Sequence, residues 1–374
     1  TDIYAPEGTY ILTDALVVPV NVSLKGEGLK NTVFDGSTTA TPINYLYGMI
    51  KTATETYTAL PTLSITPITG AKTLTFSSAP SVVIGDIIVI YNDTDYSYSG
   101  FRAEYRQGEM ARVVDVSGNI VQLQGQLCDD YAIGDIEVFK MSTTTCTFKD
   151  FSIVGYKPDG VSETNGLRLN GGTGCVITNI NSRESNYSDV FISNSFNTTL
   201  TDSTFGGDDN SYGIFIANCH IANINNCYAT AMGHGITLGG SGKAISRYVD
   251  ISNSYFAHPT GGTAADFHGN VEFCTFNSCT IDGTALLGGD YVSISNCIVG
   301  RRDVESSNIA VYLSELKGNN ISITDNTMYA LGDAVNSRGI AIDSQSLTSS
   351  TKTGGILLIS GNSISLGGVV GENA

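Results

Sequence analysis

The strongest constraint on this 374-residue chain is a strand signature that returns about every 25 residues. From residue 145 onward each return closes on an apolar residue and a polar pair. The series runs Phe148-Lys149-Asp150, Ile180-Asn181-Ser182, Leu200-Thr201-Asp202, Ile224-Asn225-Asn226, Ile251-Ser252-Asn253, Phe276-Asn277-Ser278, Ile294-Ser295-Asn296, Ile323-Thr324-Asp325 and Ile359-Ser360-Gly361. The intervals between third residues range from 18 to 36. A constant strand mark with a variable interval predicts stacked β-coils whose insertions are absorbed in loops; a uniform interval would point to a helical repeat. Asn and Asp at the strand ends suit turns in which side chains bond the backbone and left-handed angles are tolerated.

A second strand recurs between these marks: Leu167-Arg168-Leu169, Val190-Phe191-Ile192, Ile214-Phe215-Ile216, Ile236-Thr237-Leu238, Ala265-Asp266-Phe267, Ala285-Leu286-Leu287, Val311-Tyr312-Leu313 and Ile340-Ala341-Ile342. Side chains alternate along a strand, so the outer two residues of each triplet face inward and the middle one faces out. Stacking at about 4.8 Å then predicts one surface column: Arg168, Phe191, Phe215, Thr237, Asp266, Leu286, Tyr312, Ala341.

The composition fits an all-β chain. Gly is 42, Pro 8, and 41 % of residues are hydrophobic. No long run of strong helix formers appears. With 19 basic against 36 acidic residues the net charge is −17, which argues against nucleic acid or an anionic membrane as partner. No apolar run is long enough to span a membrane. The eight cysteines are Cys128, Cys146, Cys175, Cys219, Cys227, Cys274, Cys279 and Cys297. None forms a CxxC pair, and most recur at a fixed place in the repeat, so they read as small buried thiols rather than a zinc site or disulfides. The chain opens in mid-pattern at Thr1 and reads as a piece of a longer protein.

Three regions are expected. Residues 1–50 form the first coils, 51–144 interrupt the repeat as a small β-subdomain, and 145–374 form the main solenoid. The interruption carries Val82–Tyr91, a polar aromatic loop, Ala111–Val116, a turn at Ser117-Gly118-Asn119 and Ile136–Met141. Asp93 and Asp95 in that loop read as solvated acids rather than a cation site.

The opening APEGTYILTDALVVPVNVSLKGEG resembles the first coils of the right-handed parallel β-helix in pectate-lyase-like proteins. Together with GDIIVIYNDTDYSYSGFRAEYRQGEMARV, GHGITLGG and ADFHGNVEFC, it is similar to bacteriophage tailspike depolymerases, especially those that attack Acinetobacter capsules. The resemblance spans residues 1–345. It implies a homotrimeric virion spike, acting at the host cell surface, that binds and cleaves bacterial capsular polysaccharide.

Chemistry is expected on the outward column. Phe191, Phe215 and Tyr312 offer ring faces to sugars, although loops or a partner subunit covering the column would explain the same residues. Asp266, His268 and Glu272 fall within seven residues, and Glu315 follows on the same strand two coils later. Glycoside hydrolysis uses two carboxylates, so Asp266 and Glu315 are the acid/base candidates, with Glu272 as substitute and His268 orienting. Two coils correspond to about 9–10 Å at the backbone, which favours inversion. Tyr312, Phe215, His234, Arg168 and Arg302 are the candidate substrate contacts.

Asp208-Asp209 followed by Gly233-His234-Gly235 resembles a pair of segments in polygalacturonase-type hydrolases. The basic segment expected one coil later reads DFHGN instead, so that mechanism does not carry over directly. Arg301, Arg302, Asp303 and Glu305 form a charged loop, in which Arg302 could hold a substrate carboxylate. No P-loop, dinucleotide fingerprint or HExxH is present, and no cofactor or metal is expected. The leading expectation is a glycoside hydrolase. A polysaccharide lyase on the same fold and a non-catalytic glycan adhesin are the alternatives.

Overall fold

The computed structural model describes residues 2–37, 48–95, 104–131, 135–155, 164–206, 212–240, 242–301, 309–316, 320–330, 337–342 and 356–366. It is a parallel β-solenoid interrupted by a small antiparallel unit. Two long parallel sheets build the rod. One holds ten strands among the described residues, from Leu16–Val18 and Ile50–Thr52 through Asn165–Asn170 to Arg338–Ile342. The other wraps the remaining faces of each coil.

The eight predicted triplets are the centres of consecutive strands in the ten-stranded sheet, each in register with the next. The core follows from that alternation. Leu167, Leu169, Val190, Ile214, Ile236, Leu238, Phe267 and Leu313 are fully buried and belong to one continuous cluster along the rod. Burying such a ladder stabilises the fold by roughly 25 cal/mol per Å² of apolar surface. Seven of the eight cysteines are buried and all eight are free thiols; Cys146 and Cys175 stack on adjacent coils with Sγ atoms 3.4 Å apart.

The strand-end polar residues take the left-handed conformation. Asp150, Asp202, Asn226, Asn253, Ser278, Asn296 and Asp325 have φ between 49° and 63°. One coil departs from the sequence reading: its left-handed residue is Asn179, not Ser182. Asn179 Nδ2 donates to Asp150 Oδ1 at 2.8 Å, so the amide ladder runs through it. A second, unforeseen left-handed column comprises Asn197, Ile221, Tyr248, Phe273 and Tyr291. Bulky residues rarely adopt this conformation. Here it turns their side chains outward, where Tyr248, Phe273 and Tyr291 stack at 5.0 and 4.6 Å.

The antiparallel unit is a six-stranded sheet with strands from Tyr57–Ala59 to Ile136–Met141 and its own core around Phe76, Ile88, Ile90, Val113 and Val121. The rod closes up beneath it, since Ile50 pairs with Leu167 and Val33 with Ser152. The unit lies against the rod through Ile87, Val89, Met110 and Met141, which pack with Phe196 and Ala244. Lys243 Nζ sits 4.3 Å from the ring centres of both Tyr91 and Phe139. No helix among the described residues is long and apolar enough to cross a membrane.

Candidate functional site

The predicted column forms in register, but it is not a surface row throughout: Thr237, Asp266 and Ala341 are buried and the other five members are half-buried. Arg168 pairs with Phe191, Phe191 with Phe215, Phe215 with Thr237, Thr237 with Asp266, Asp266 with Leu286, and Leu286 with Tyr312. Lys51 extends it one coil below Arg168. The lower half is an aromatic floor. The Arg168 guanidinium lies 4.5 Å from the Phe191 ring centre, and Phe191 meets Phe215 edge-on at 4.8 Å. Tyr187 and Tyr212 join this floor, with ring centres 5.9 and 5.2 Å from Phe215. Sequence parity missed both, because they precede the triplets and lie on the loop side of the strand.

The floor leads into a compact polar cluster. Tyr212 is the register partner of His234, and their rings are 5.5 Å apart. His234 Nε2 stands 3.3 Å from Asp266 Oδ2, and His268 Nε2 stands 3.1 Å from the same oxygen. His234 Nδ1 is 2.8 Å from the Thr263 carbonyl oxygen. A carbonyl only accepts, so Nδ1 carries the proton of this bond. Nε2 is then the nitrogen that faces the Asp266 carboxylate, an ion pair when the ring carries a second proton. Asp266 is only 4 % exposed, whereas the His234 and His268 side chains are 24 % and 16 % exposed. The column thus points outward at Asp266, but the imidazoles cover the carboxylate and are the groups that reach solvent. Among the described residues, the buried Asp266 Oδ1 and the Thr237 Oγ1 of the preceding coil have no hydrogen-bond partner.

Glu272 is placed differently from the sequence expectation. It is buried in the strand Val271–Glu272, where it pairs in register with Arg247 and accepts from Arg247 Nε at 2.8 Å. The left-handed turn at Phe273 sends the next side chain out and leaves Glu272 inside. Arg247, fully buried, also donates to Asp129 Oδ2 at 2.5 Å and to the Gly108 carbonyl at 2.9 Å. Glu109 joins this network through Tyr131 and the Cys128 amide; burial holds its carboxyl above the ordinary range. These groups tie the antiparallel unit to the rod, and Glu272 is withdrawn as a substitute acid.

The Glu315 side chain lies outside the described residues, as do Arg302 and the Asp208-Asp209 pair. Asp93 binds Arg106 Nε at 2.7 Å. No group of three or more His, Cys, Asp or Glu among the described residues is arranged to hold a metal ion. A separate polar groove of about 620 Å³ runs along the amide ladder, lined by Asp202, Asn226, Asn253, Tyr228 and Tyr255, and touches none of the column residues.

The family model described as Gp49, pectin lyase-like, matches residues 186–373, half of the chain. The chain belongs to this family. A second family model, the tailspike protein-like Ig-like domain, matches residues 56–141, the antiparallel unit between the coils. The protein is therefore a phage tailspike with a pectin lyase-like β-helix, as the sequence resemblance implied, and its inserted β-subdomain is Ig-like. The solved tailspike gp49 of Pseudomonas phage LKA1 superposes with a TM-score of 0.82 at 25 % identity, over 98 % of this chain and 68 % of that one. Tailspike gp61 of Pseudomonas phage phi297 gives 0.84 at 23 % identity, over 98 % and 60 %. Gp54 of Acinetobacter baumannii phage AP22, solved with an A. baumannii capsular saccharide, gives 0.77 at 20 %, over 98 % and 64 %. The tailspike chain described here thus spans about two thirds of the length of these relatives. No curated protein matches it.

Proposed function

We propose that this tailspike binds a capsular or exopolysaccharide of its bacterial host along the Arg168–Tyr312 column and shortens it by hydrolysis. The observation that carries the reading is the Asp266 carboxylate held between two imidazoles at the end of an aromatic floor. Flat rings on successive coils match the repeating rings of a glycan. The AP22 tailspike, which shares the fold, holds a capsular saccharide.

In the proposed reaction the proton shared by His234 and Asp266 passes to the leaving glycosidic oxygen as the C–O bond breaks. A water molecule attacks the sugar carbon and gives its proton to the second carboxylate, Glu315, forming the new hydroxyl. His268 fixes Asp266, and Tyr312, Phe215 and Arg168 hold the chain, with Arg302 as a further contact. The working assembly is a homotrimer on the virion tail, with capsular polysaccharide as its ligand.

One observation favours a second reading. An imidazole held by a carboxylate is also a base suited to proton abstraction beside a sugar carboxylate, with Arg168 neutralising that group, which would make the enzyme a lyase. Digestion of a capsule panel separates the cases. Hydrolysis gives shortened chains heavier by one water per cut. A lyase gives fragments with new ultraviolet absorbance. No chain shortening on any capsule that the protein binds leaves an adhesin and overturns both.

A further inference from the structure

We propose that Tyr105, carried by the Ig-like insert, is a positioning residue for His268, so that the insert is a working part of the groove. The proposal rests on the reading of His268 as a member of the proton-handling cluster. Tyr105 is 4 % exposed, and its ring meets His268 edge-on, with centroids 6.5 Å apart and planes at 89°. On another side His268 lies against Gly239, where an added Cβ would come within 2.7 Å of the imidazole Cδ2. The third restraint is the Nε2 contact to Asp266 Oδ2. The ring turns on two side-chain bonds, and contacts from three directions leave it one orientation, with Nε2 on the carboxylate.

The insert is docked firmly enough to hold that ring. Tyr105 shares a buried cluster with Ile245 of the rod. Three residues on, the Gly108 carbonyl accepts from the Ile245 amide at 3.1 Å and from Arg247 Nη1 at 2.9 Å. A Cβ at Gly108 would stand 2.0 Å from the Lys243 carbonyl oxygen, so the two backbones meet at a contact only glycine permits. The Arg247 contacts to Asp129 and Glu272 close the joint from below. A spacer or a separate binding module needs none of this register. A residue that sets an imidazole does.

The test follows the imidazole signals of the chain's four histidines by NMR in the absence of glycan. In Tyr105→Ala the His268 signals and their pH midpoint shift while those of His258 stay in place, and Tyr105→Phe restores the wild-type positions. The kcat on a cleaved capsule falls by about 10- to 100-fold in Tyr105→Ala with little change in KM, as for a misplaced group rather than a lost subsite. Should Tyr105→Ala fail to fold, Tyr105→Leu fills the site without an aromatic edge and is expected to behave in the same way. Unmoved His268 signals in the Ala or Leu variant overturn the proposal. Full activity of His268→Gln overturns the catalytic reading beneath it instead, whatever the spectra show.

Discussion

His234 turns its Nδ1 to the Thr263 carbonyl at 2.8 Å and its Nε2 to Asp266 Oδ2 at 3.3 Å, so one imidazole bridges a backbone carbonyl and the buried carboxylate. In the proposed reaction this pair supplies the acid proton at the end of the aromatic floor. Asp266→Asn keeps the shape but removes the carboxylate charge and any acid proton it could take up or release. Its kcat is expected to fall by about 10²- to 10⁴-fold, the usual range for a lost acid/base group, with glycan affinity retained. Initial rates of reducing-end release, beside a binding isotherm, check this.

Phe215 is a binding residue in this account, at the centre of the floor with Phe191, Tyr187 and Tyr212 around it. Phe215→Ala removes contact made equally in the ground and transition states. KM should rise by about tenfold while kcat stays within about threefold. An equal loss in kcat alone would move Phe215 from the floor to the chemistry.

Arg247 and Glu272 belong to the joint between insert and rod. Arg247→Met strands the buried Asp129 and Glu272 and should cost about 3–5 kcal/mol, read as a lower urea midpoint. Glu272→Gln is expected to lower stability while leaving kcat on the folded enzyme unchanged. A fall in kcat at unaltered stability would return Glu272 to the reacting groups.

Much of this was legible before the fold was known, and the exceptions have physical causes. The Arg168–Tyr312 column follows from strand parity alone, and coil stacking then brings residues about 25 positions apart into contact. Glu272 was chosen for its nearness in sequence to Asp266, but it lies on the next strand of the coil, where Arg247 holds it inside, and nothing in a bulky aromatic announces the left-handed turn at Phe273 beside it. The same holds for Ile221, Tyr248 and Tyr291. Asn179 was hidden because an Asn-Ile-Asn run offers two frames for one turn. Arg247 reaches Asp129 and Gly108 across 118 and 139 residues, and Tyr105 reaches His268 across the same joint. Periodicity within the rod carries no information about what an insert brings to its surface. His234 was read as lining the groove, but its tie to Asp266 depends on a side chain crossing between coils.

The joint also sets a pH dependence. His220 is fully buried, and burial first, then the nearby Arg247 charge, hold its imidazole well below the ordinary 6.5. Met110 donates its amide to the bare Nε2 at 3.4 Å. Below about pH 6.5 the unfolded chain binds a proton at this site that the folded one refuses, so its stabilising contribution is intact above that pH and lost below it, by at most about 1.4 kcal/mol per pH unit. Glu109 acts oppositely: burial raises it above the ordinary 4.5, so its contribution is present below that pH and lost as the pH rises. Urea melts between pH 4.5 and 6.5 should therefore show His220→Gln losing stability with rising pH relative to the wild type, in which the two trends offset.

The most direct test of the account is where a glycan lies. A structure of Asp266→Asn with a capsular oligosaccharide should show sugar rings along Phe191 and Phe215 and a glycosidic oxygen within hydrogen-bond reach of His234 or His268. Sugar seated instead in the groove of Asp202, Asn226 and Tyr228, with the column bare, would contradict it.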